Sequence, residues 1–207
     1  GECGIQLSGG HTEQTENALH DMVTITVTGL CRKDKLLSIK EASAGMAVVA
    51  VNRIAIEQTA YMVDEHRAEL LERLPVSYVE QADCLYKQAC IVKEAQIAAD
   101  SGAAAMHDMA QKGIFAALWE LAAGSGCGLD IDMRPIKQET VEFCEIMGLN
   151  PYEEASAGGL LVVTANPGKL LEAYSAEHIP AVVIGYLTSD NDKKLVNGDE
   201  VRYLDKP

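Results

Sequence analysis

Four consecutive residues near the start of the chain could bind a phosphate-bearing ligand. They are Gly9, Gly10, His11 and Thr12. Paired glycines allow the backbone to approach an anion closely, and backbone N–H groups can then donate to it. A Gly-Gly pair is also common in plain turns. The motif alone therefore leaves a phosphate or substrate site and a simple turn both open.

Asp108 is the second candidate, at the end of Met106-His107-Asp108. The pattern predicts that this segment ends a short strand, ahead of a helix that starts near Gly113. A carboxylate at such a strand end could hold Mg²⁺ against phosphate oxygens. The alternative is that Asp108 caps the helix, and spacing alone favours capping. His107 by itself is more typical of a packed histidine than of a ligand.

The segment Glu154-Ala155-Ser156-Ala157-Gly158-Gly159 is the third candidate. Its paired glycines could contact a ligand through the backbone. A tight turn onto the following strand needs glycines equally, and we favour that structural interpretation.

The charge balance limits the classes of partner. The chain of 207 residues carries 17 Lys and Arg against 31 Asp and Glu, a formal net charge of −14. Such a field repels nucleic acids and anionic membranes, so a small-molecule substrate is expected instead. An anionic nucleotide would need a local site built from backbone N–H groups and a metal ion.

Cysteine spacing and hydropathy indicate the compartment. The six cysteines are at positions 3, 31, 84, 90, 127 and 144, and no two form a C-x-x-C pair. We expect buried, reduced thiols rather than disulfides or a zinc site, although a Cys/His metal protein is a further alternative. No apolar run approaches the ~18 residues of a membrane helix, and no signal peptide opens the chain. A cytoplasmic protein is the expectation.

Periodicity predicts alternating strands and helices, hence an α/β or α+β fold. Strands are predicted at 22–29, 46–51, 103–107, 129–133, 160–165 and 181–187, with a final hairpin over 194–203 through Asn197-Gly198. Helices are predicted at 57–74, 86–100, 113–123, 138–147 and 167–174. We expect Gly124 to cap the helix over 113–123, and we expect a domain boundary near Ala44.

The joint order of these stretches resembles the aminoimidazole ribonucleotide (AIR) synthase-like, or PurM-like, superfamily. Gly9-Gly10-His11-Thr12 is similar to its Gly-Gly-x-Thr/Ser motif. The segments Met106-His107-Asp108, Ala117-Leu118-Trp119-Glu120-Leu121 and Cys144–Pro151 resemble the branch of the hydrogenase-maturation carbamoyl dehydratase.

The resemblance implies a two-domain enzyme that works as a homodimer. Residues 1–43 would be the tail of the N-terminal ATP-binding domain, and residues 44–207 a complete C-terminal α/β sandwich domain. ATP and Mg²⁺ would activate or phosphorylate an oxygen of a small molecule. The resemblance makes Asp108 a metal ligand and places Gly9, Gly10, His11 and Thr12 on the phosphate or substrate side.

Departures from the family pattern favour a second hypothesis. The family's Thr-Glu-Gly-Gly after the aspartate is Ala110-Gln111-Lys112-Gly113 here, and its Gly-Leu-Glu-Gly-Thr is Ala55-Ile56-Glu57-Gln58-Thr59. The chain ends in Tyr203-Leu204-Asp205-Lys206-Pro207, so we do not expect the chemistry of the carbamoyl dehydratase, which relies on a C-terminal cysteine. A degenerate, non-catalytic homologue serving as a structural or regulatory dimer partner is therefore the alternative.

The resemblance also places most of the ATP-binding domain before Gly1, so we expect this chain to be inactive alone and not to bind Mg-ATP tightly. Micromolar binding in a calorimetric titration would contradict that expectation.

Overall fold

The computed structural model describes residues 4–16, 20–132 and 138–207. Cys3 and Met133, the last residue of one predicted strand, lie outside them. The chain has two compact units, Gly1–Leu36 and Leu37–Pro207. The predicted domain boundary near Ala44 remains a prediction.

The second unit is built on one mixed sheet. Its strands are β1 (Ala47–Val51), β2 (Ala105–Asp108), β3 (Gly128–Asp132), β4 (Leu160–Thr164), β5 (Ala181–Thr188), β6 (Lys193–Asn197) and β7 (Glu200–Tyr203). They lie in the order β2-β4-β1-β5-β3-β6-β7. Every pairing is antiparallel except that of β3 with β6.

Six helices accompany the sheet in the described residues. They are α1 (Ile56–Arg73), α2 (Val76–Asp83), α3 (Val92–Asp100), α4 (Gly113–Ser125), α5 (Gln138–Met147) and α6 (Pro167–Ala176). The α/β class predicted from the sequence is confirmed. No described helix is long and apolar enough to cross a lipid bilayer.

Strands β1 and β4 are buried along their whole length, which explains their continuous apolar sequences. Their alternate side chains enter two cores. Leu161 and Val163 belong to a core shared with α4, whereas Leu160 and Val162 share a core with α3 and α6. A third core lies between α1, α2 and α5.

Local chemistry sets several helix ends as predicted. Asn166 caps α6, because its Oδ1 accepts a hydrogen bond from the Lys169 N–H at 3.2 Å. Gly148, with φ of 68°, follows the last residue of α5. The predicted hairpin between β6 and β7 is also confirmed, with Gly198 at φ of 60° in its turn.

The strand predicted over 22–29 is wrong. The model assigns no strand there, and Val23, Ile25 and Val27 are 85%, 80% and 66% exposed. An alternating pattern forms a strand only beside a pairing partner. The described residues of the first unit contain no strand, only a short 3₁₀ turn at Lys33–Lys35.

Two helix predictions need correction. The stretch 86–100 is divided into a 3₁₀ turn, Leu85–Gln88, and α3, because its middle packs against Gly158, whose added Cβ would lie 2.6 Å from the Gln88 carbonyl oxygen. Helix α4 ends at Ser125 and is capped by Gly126 rather than by Gly124. Gly124 lies inside the helix, where a side chain would meet Ile39.

The cysteines are less buried than predicted. Cys144 is buried and Cys127 half-buried, but Cys31, Cys84 and Cys90 are exposed. Cys84 follows the last turn of α2, and Cys31 belongs to the first unit, in which none of the described residues is buried. Burial, with a smaller effect of the Glu154 charge, raises the pKa of Cys144 to about 11.

We predict that Cys144 resists alkylation while Cys84 reacts. At pH 8 the Cys144 group is a thiol in the fold, because its raised pKa lies well above that pH, and only the thiolate is an efficient nucleophile. Iodoacetamide labelling followed by peptide mass mapping checks this, with guanidinium-unfolded protein as the control in which both react. Equal labelling of both thiols in the native protein would contradict it.

We also predict that Gly113→Ala is far more damaging than Gly126→Ala. Both glycines have positive φ, so alanine costs about 1 kcal/mol at either site from backbone strain. At Gly113 the added Cβ would also lie 2.5 Å from the Tyr152 carbonyl oxygen and 2.8 Å from that of Glu154, whereas Gly126 faces open space. Urea unfolding should show a loss of about 3 kcal/mol for Gly113→Ala. Similar losses for both variants would refute the close packing.

Candidate functional site

Three loops meet at one edge of the sheet. Leu160, the first residue of β4, pairs with Val51 at the end of β1 and with Asp108 at the end of β2. The segments that follow β1 and β2 therefore lie beside the segment that precedes β4. We call residues 52–55, 109–112 and 152–159 the three-loop edge.

Ser156 joins the three loops. It is fully buried, and its Oγ accepts from the Ala55 N–H at 2.7 Å and donates to the Glu154 carbonyl at 2.8 Å. The Ser156 N–H donates to the Ala110 carbonyl at 3.1 Å. One residue thus satisfies backbone groups on all three segments, which a buried loop requires.

Asn52 and Glu94 support the glycine turn through hydrogen bonds. The Asn52 amide donates to Glu94 Oε1 at 3.0 Å and to the Gly158 carbonyl at 2.9 Å, from a backbone with φ of 64°. The Tyr174 hydroxyl donates to the Glu94 carbonyl at 2.9 Å, and burial raises the pKa of Tyr174. Gly158 has φ of 101°, so the tight turn favoured from the sequence is confirmed. Sequence reasoning missed the Asn52–Glu94 pair, although Asn after a buried strand is a usual sign of a left-handed residue.

Glu57 and Thr59, both in α1, form hydrogen bonds with the same loops. Glu57 Oε2 accepts from the Ala157 N–H at 3.3 Å, and the Thr59 hydroxyl donates to the Ala55 carbonyl at 2.6 Å. The two residues kept from the family pattern therefore support loop structure. Arg53 lies in this edge, half-buried, with no hydrogen bond or ion pair to any described residue.

Asp108 lies exposed beside the three-loop edge. Its side chain is 64% exposed and lines an open cleft of about 370 Å³ together with Gln111 and Glu120. The capping role that spacing favoured is wrong. The N-cap residue of α4 is Lys112, and no side chain forms a capping hydrogen bond with the first turn of that helix.

His107 is the packed histidine that its sequence context predicts. Its side chain is 23% exposed. Nδ1 lies 2.7 Å from the Asp108 carbonyl oxygen, and Nε2 lies 3.1 Å from Glu120 Oε2. The ring is thereby anchored between β2 and α4.

The metal-binding capacity of this region is limited. Among residues 4–16, 20–132 and 138–207, no group of three or more His, Cys, Asp or Glu side chains could hold a metal ion. Asp108 is thus one carboxylate, not a complete site. Mg²⁺ commonly binds proteins through one or two carboxylates, with phosphate oxygens and water as its other ligands.

The other predicted site residues belong to the first compact unit. Gly9, Gly10, His11 and Thr12 are exposed, and neither glycine has a positive φ. Neither glycine therefore adopts the left-handed conformation that a tight glycine turn uses. Their predicted role beside a phosphate stays a prediction.

Comparison with known proteins identifies a matching family and related sequences. Residues 43–197 match the family model for the C-terminal domain of AIR synthase related protein. The chain is 28% identical over 199 residues to carbamoyl dehydratase HypE of Rhizobium leguminosarum bv. viciae, an alignment covering 92% of this chain and 55% of that protein.

Solved structures share the fold. Escherichia coli HypE superposes with a TM-score of 0.67 at 21% identity, covering 83% of this chain and 53% of that one. A HypE structure in complex with ATP matches with a TM-score of 0.62 at 15% identity, covering 84% and 54%. The chain spans about half the length of the relatives it matches.

We predict that Ser156→Ala disturbs the three-loop edge. The change removes two hydrogen bonds and leaves the Ala55 N–H buried without a partner, which should cost about 2–3 kcal/mol. Thermal or urea unfolding measures the loss. Ser125→Ala is the control: that half-buried hydroxyl donates to the Ala122 carbonyl and accepts a long bond of 3.4 Å from the Cys127 N–H. The Cys127 N–H also donates to the Ala122 carbonyl and so keeps a partner, and the change should cost less than about 1 kcal/mol. Equal effects would show that Ser156 does not join the loops.

Proposed function

We propose an ATP-dependent function for this chain, which belongs to the AIR synthase related family through its C-terminal domain. In this proposal the full-length protein uses ATP to activate or phosphorylate an oxygen atom of a small molecule. The observation that carries it is the exposed carboxylate of Asp108, next to loops held in place by buried hydrogen bonds. The similarity to a HypE structure in complex with ATP supports it.

Asp108 would act on the metal side of the site. The carboxylate faces an open cleft, where the His107 Nδ1 lies 3.8 Å from its Oδ1, and it would share a cation with other ligands there. An Mg²⁺ ion bound between Asp108 and phosphate oxygens would neutralise charge that develops during phosphoryl transfer. Since the described residues hold no group of three or more such side chains, phosphate oxygens and water would complete the coordination of the ion.

The chain's own contribution to transfer is positioning and electrostatics. ATP, when bound, supplies a phosphoryl group that converts a poor oxygen leaving group into a good one. Gly9 and Gly10 would offer backbone N–H donors, and His11 and Thr12 side-chain hydrogen bonds, on the phosphate or substrate side. These local donors would offset the repulsion expected from a net charge of −14.

A non-catalytic homologue is the alternative function. Ala110, Gln111 and Lys112 stand where the family pattern has a hydroxyl, a carboxylate and a glycine. Lys112 also adopts φ of 63°, so a lysine here carries backbone strain that glycine would avoid. In both functions we propose a homodimer in the cytoplasm.

We predict that Asp108→Asn in the full-length protein weakens Mg-dependent ATP binding at least tenfold. The neutral amide is a poor ligand for Mg²⁺ and removes one charge from the site. Calorimetric titration of ATP with and without MgCl₂ measures the change, together with the rate of ATP hydrolysis.

Asp100→Asn is the matched control for this prediction. Asp100 is an exposed acid at the end of α3, where its carboxylate accepts a hydrogen bond from Gln96. Unchanged ATP affinity and hydrolysis in the Asp108→Asn protein would contradict the catalytic proposal and favour the non-catalytic alternative.

A further inference from the structure

A second cavity, of about 600 Å³, lies beside the start of α4. Phe115 and Ala116 line it, whereas Ala117 and Glu120 line the Asp108 cleft. The two cavities thus open on adjacent faces of the same helix.

Basic and acidic side chains line this cavity in equal number. The basic ones are Lys112, Arg202 and Lys206, and the acidic ones are Glu153, Glu154 and Asp205. The whole chain has nearly twice as many acidic as basic residues. The cavity is therefore locally balanced in charge, where the average surface of this protein would repel an anion.

The three cations differ in what they contact. Arg202 forms an ion pair with Glu200 at 3.3 Å, and the Lys206 ammonium lies 5.9 Å from the centre of the Trp119 ring. Lys112 makes no hydrogen bond or ion pair within the described part of the chain. Its ammonium is available although Glu153 and Glu154 line the same cavity.

Phe115 contributes apolar surface to the cavity and packs on Tyr152 behind it. The rings of Phe115 and Tyr152 stack in parallel, with centroids 5.1 Å apart and planes at 6°. Gly113 packs directly against the Tyr152 and Glu154 carbonyls, which fixes the loop to the start of α4. The cavity wall is therefore held in place before any ligand arrives, which lowers the entropy cost of binding.

We propose that this cavity binds a small, hydroxylated anion through Lys112. The free ammonium would pair with a phosphate or carboxylate group, and the acidic side chains would accept hydrogen bonds from hydroxyl groups of the same ligand. Phosphate and carboxylate ligands of this kind share a compact negatively charged group attached to a hydroxylated carbon chain. Lys112 is then the residue that selects an anion over a neutral analogue.

Binding to the 207-residue chain is measured by calorimetry with glycerol 3-phosphate and with malate, and glycerol serves as the neutral control. We expect saturable binding of one or both anions and none of glycerol. Lys112→Gln should weaken affinity at least tenfold, because one charge-assisted contact is lost. Lys112→Arg should keep it within about threefold, since the positive charge remains.

Two further variants separate binding from stability. Lys112→Gly should raise the melting temperature by about 2 °C, because glycine relieves the positive φ, and yet lose anion affinity as Lys112→Gln does. A merely structural lysine would give the first effect without the second. Lys40→Gln, at an exposed lysine in the 3₁₀ turn Ile39–Glu41, should change neither.

Three outcomes would overturn the proposal. The first is that neither anion binds. The second is that the Lys112→Gln protein binds the anion as tightly as the unchanged chain. The third is that Asp108→Asn removes the binding measured without ATP and Mg²⁺. The last outcome would place the anion in the Asp108 cleft. Binding of phosphate alone or of carboxylate alone supports the proposal and identifies the anion.

Discussion

The antiparallel pairing of β4 with β1 on one side and β2 on the other is the constraint on which the candidate site depends. Because Leu160 pairs with both Val51 and Asp108, the ends of two strands and the start of a third coincide. Residues more than a hundred positions apart, such as Ala55 and Ser156, then share a buried hydrogen bond. Complete burial of β1 and β4 between two cores makes this register hard to shift.

The polar groups of the loops beside these strands differ in whether they have hydrogen-bond partners. Asn52 holds the glycine turn through a hydrogen bond to the Gly158 carbonyl. The Ser156 hydroxyl is fixed by hydrogen bonds with two backbone groups, so little conformational freedom remains in these loops. Asp108 and Lys112, in contrast, present exposed charged groups to open cavities. Rigid backbone with available charged side chains is the arrangement expected of a binding region rather than of a purely structural loop.

Sequence reasoning succeeded where local chemistry determines structure. The Asn166 cap, the Gly148 stop and the continuous apolar strand at 160–164 depend on a few neighbouring residues, and the model confirms them. Sequence reasoning failed where contacts with a segment distant in the sequence determine the local structure. The alternation at Val23, Ile25 and Val27 was insufficient without a neighbouring strand, and Gly158 is what divides the helix predicted over 86–100.

The candidate site follows the same division. Asp108 could be singled out because a carboxylate at a strand end is visible in the sequence. Its neighbours across the sheet edge and the positive φ of Lys112 could not, since both follow from pairing between distant segments.

The most direct test of the account is paramagnetic broadening in the NMR spectrum of the full-length protein, with Mn²⁺ replacing Mg²⁺ in the presence of ATP. We predict that the amide signals of Asp108 and Gln111 broaden strongly at low Mn²⁺ concentrations, while those of the hairpin turn at Gly198 do not. Broadening that is absent near Asp108, or that centres on another part of the protein, would contradict the assignment of Asp108 to a metal-nucleotide site.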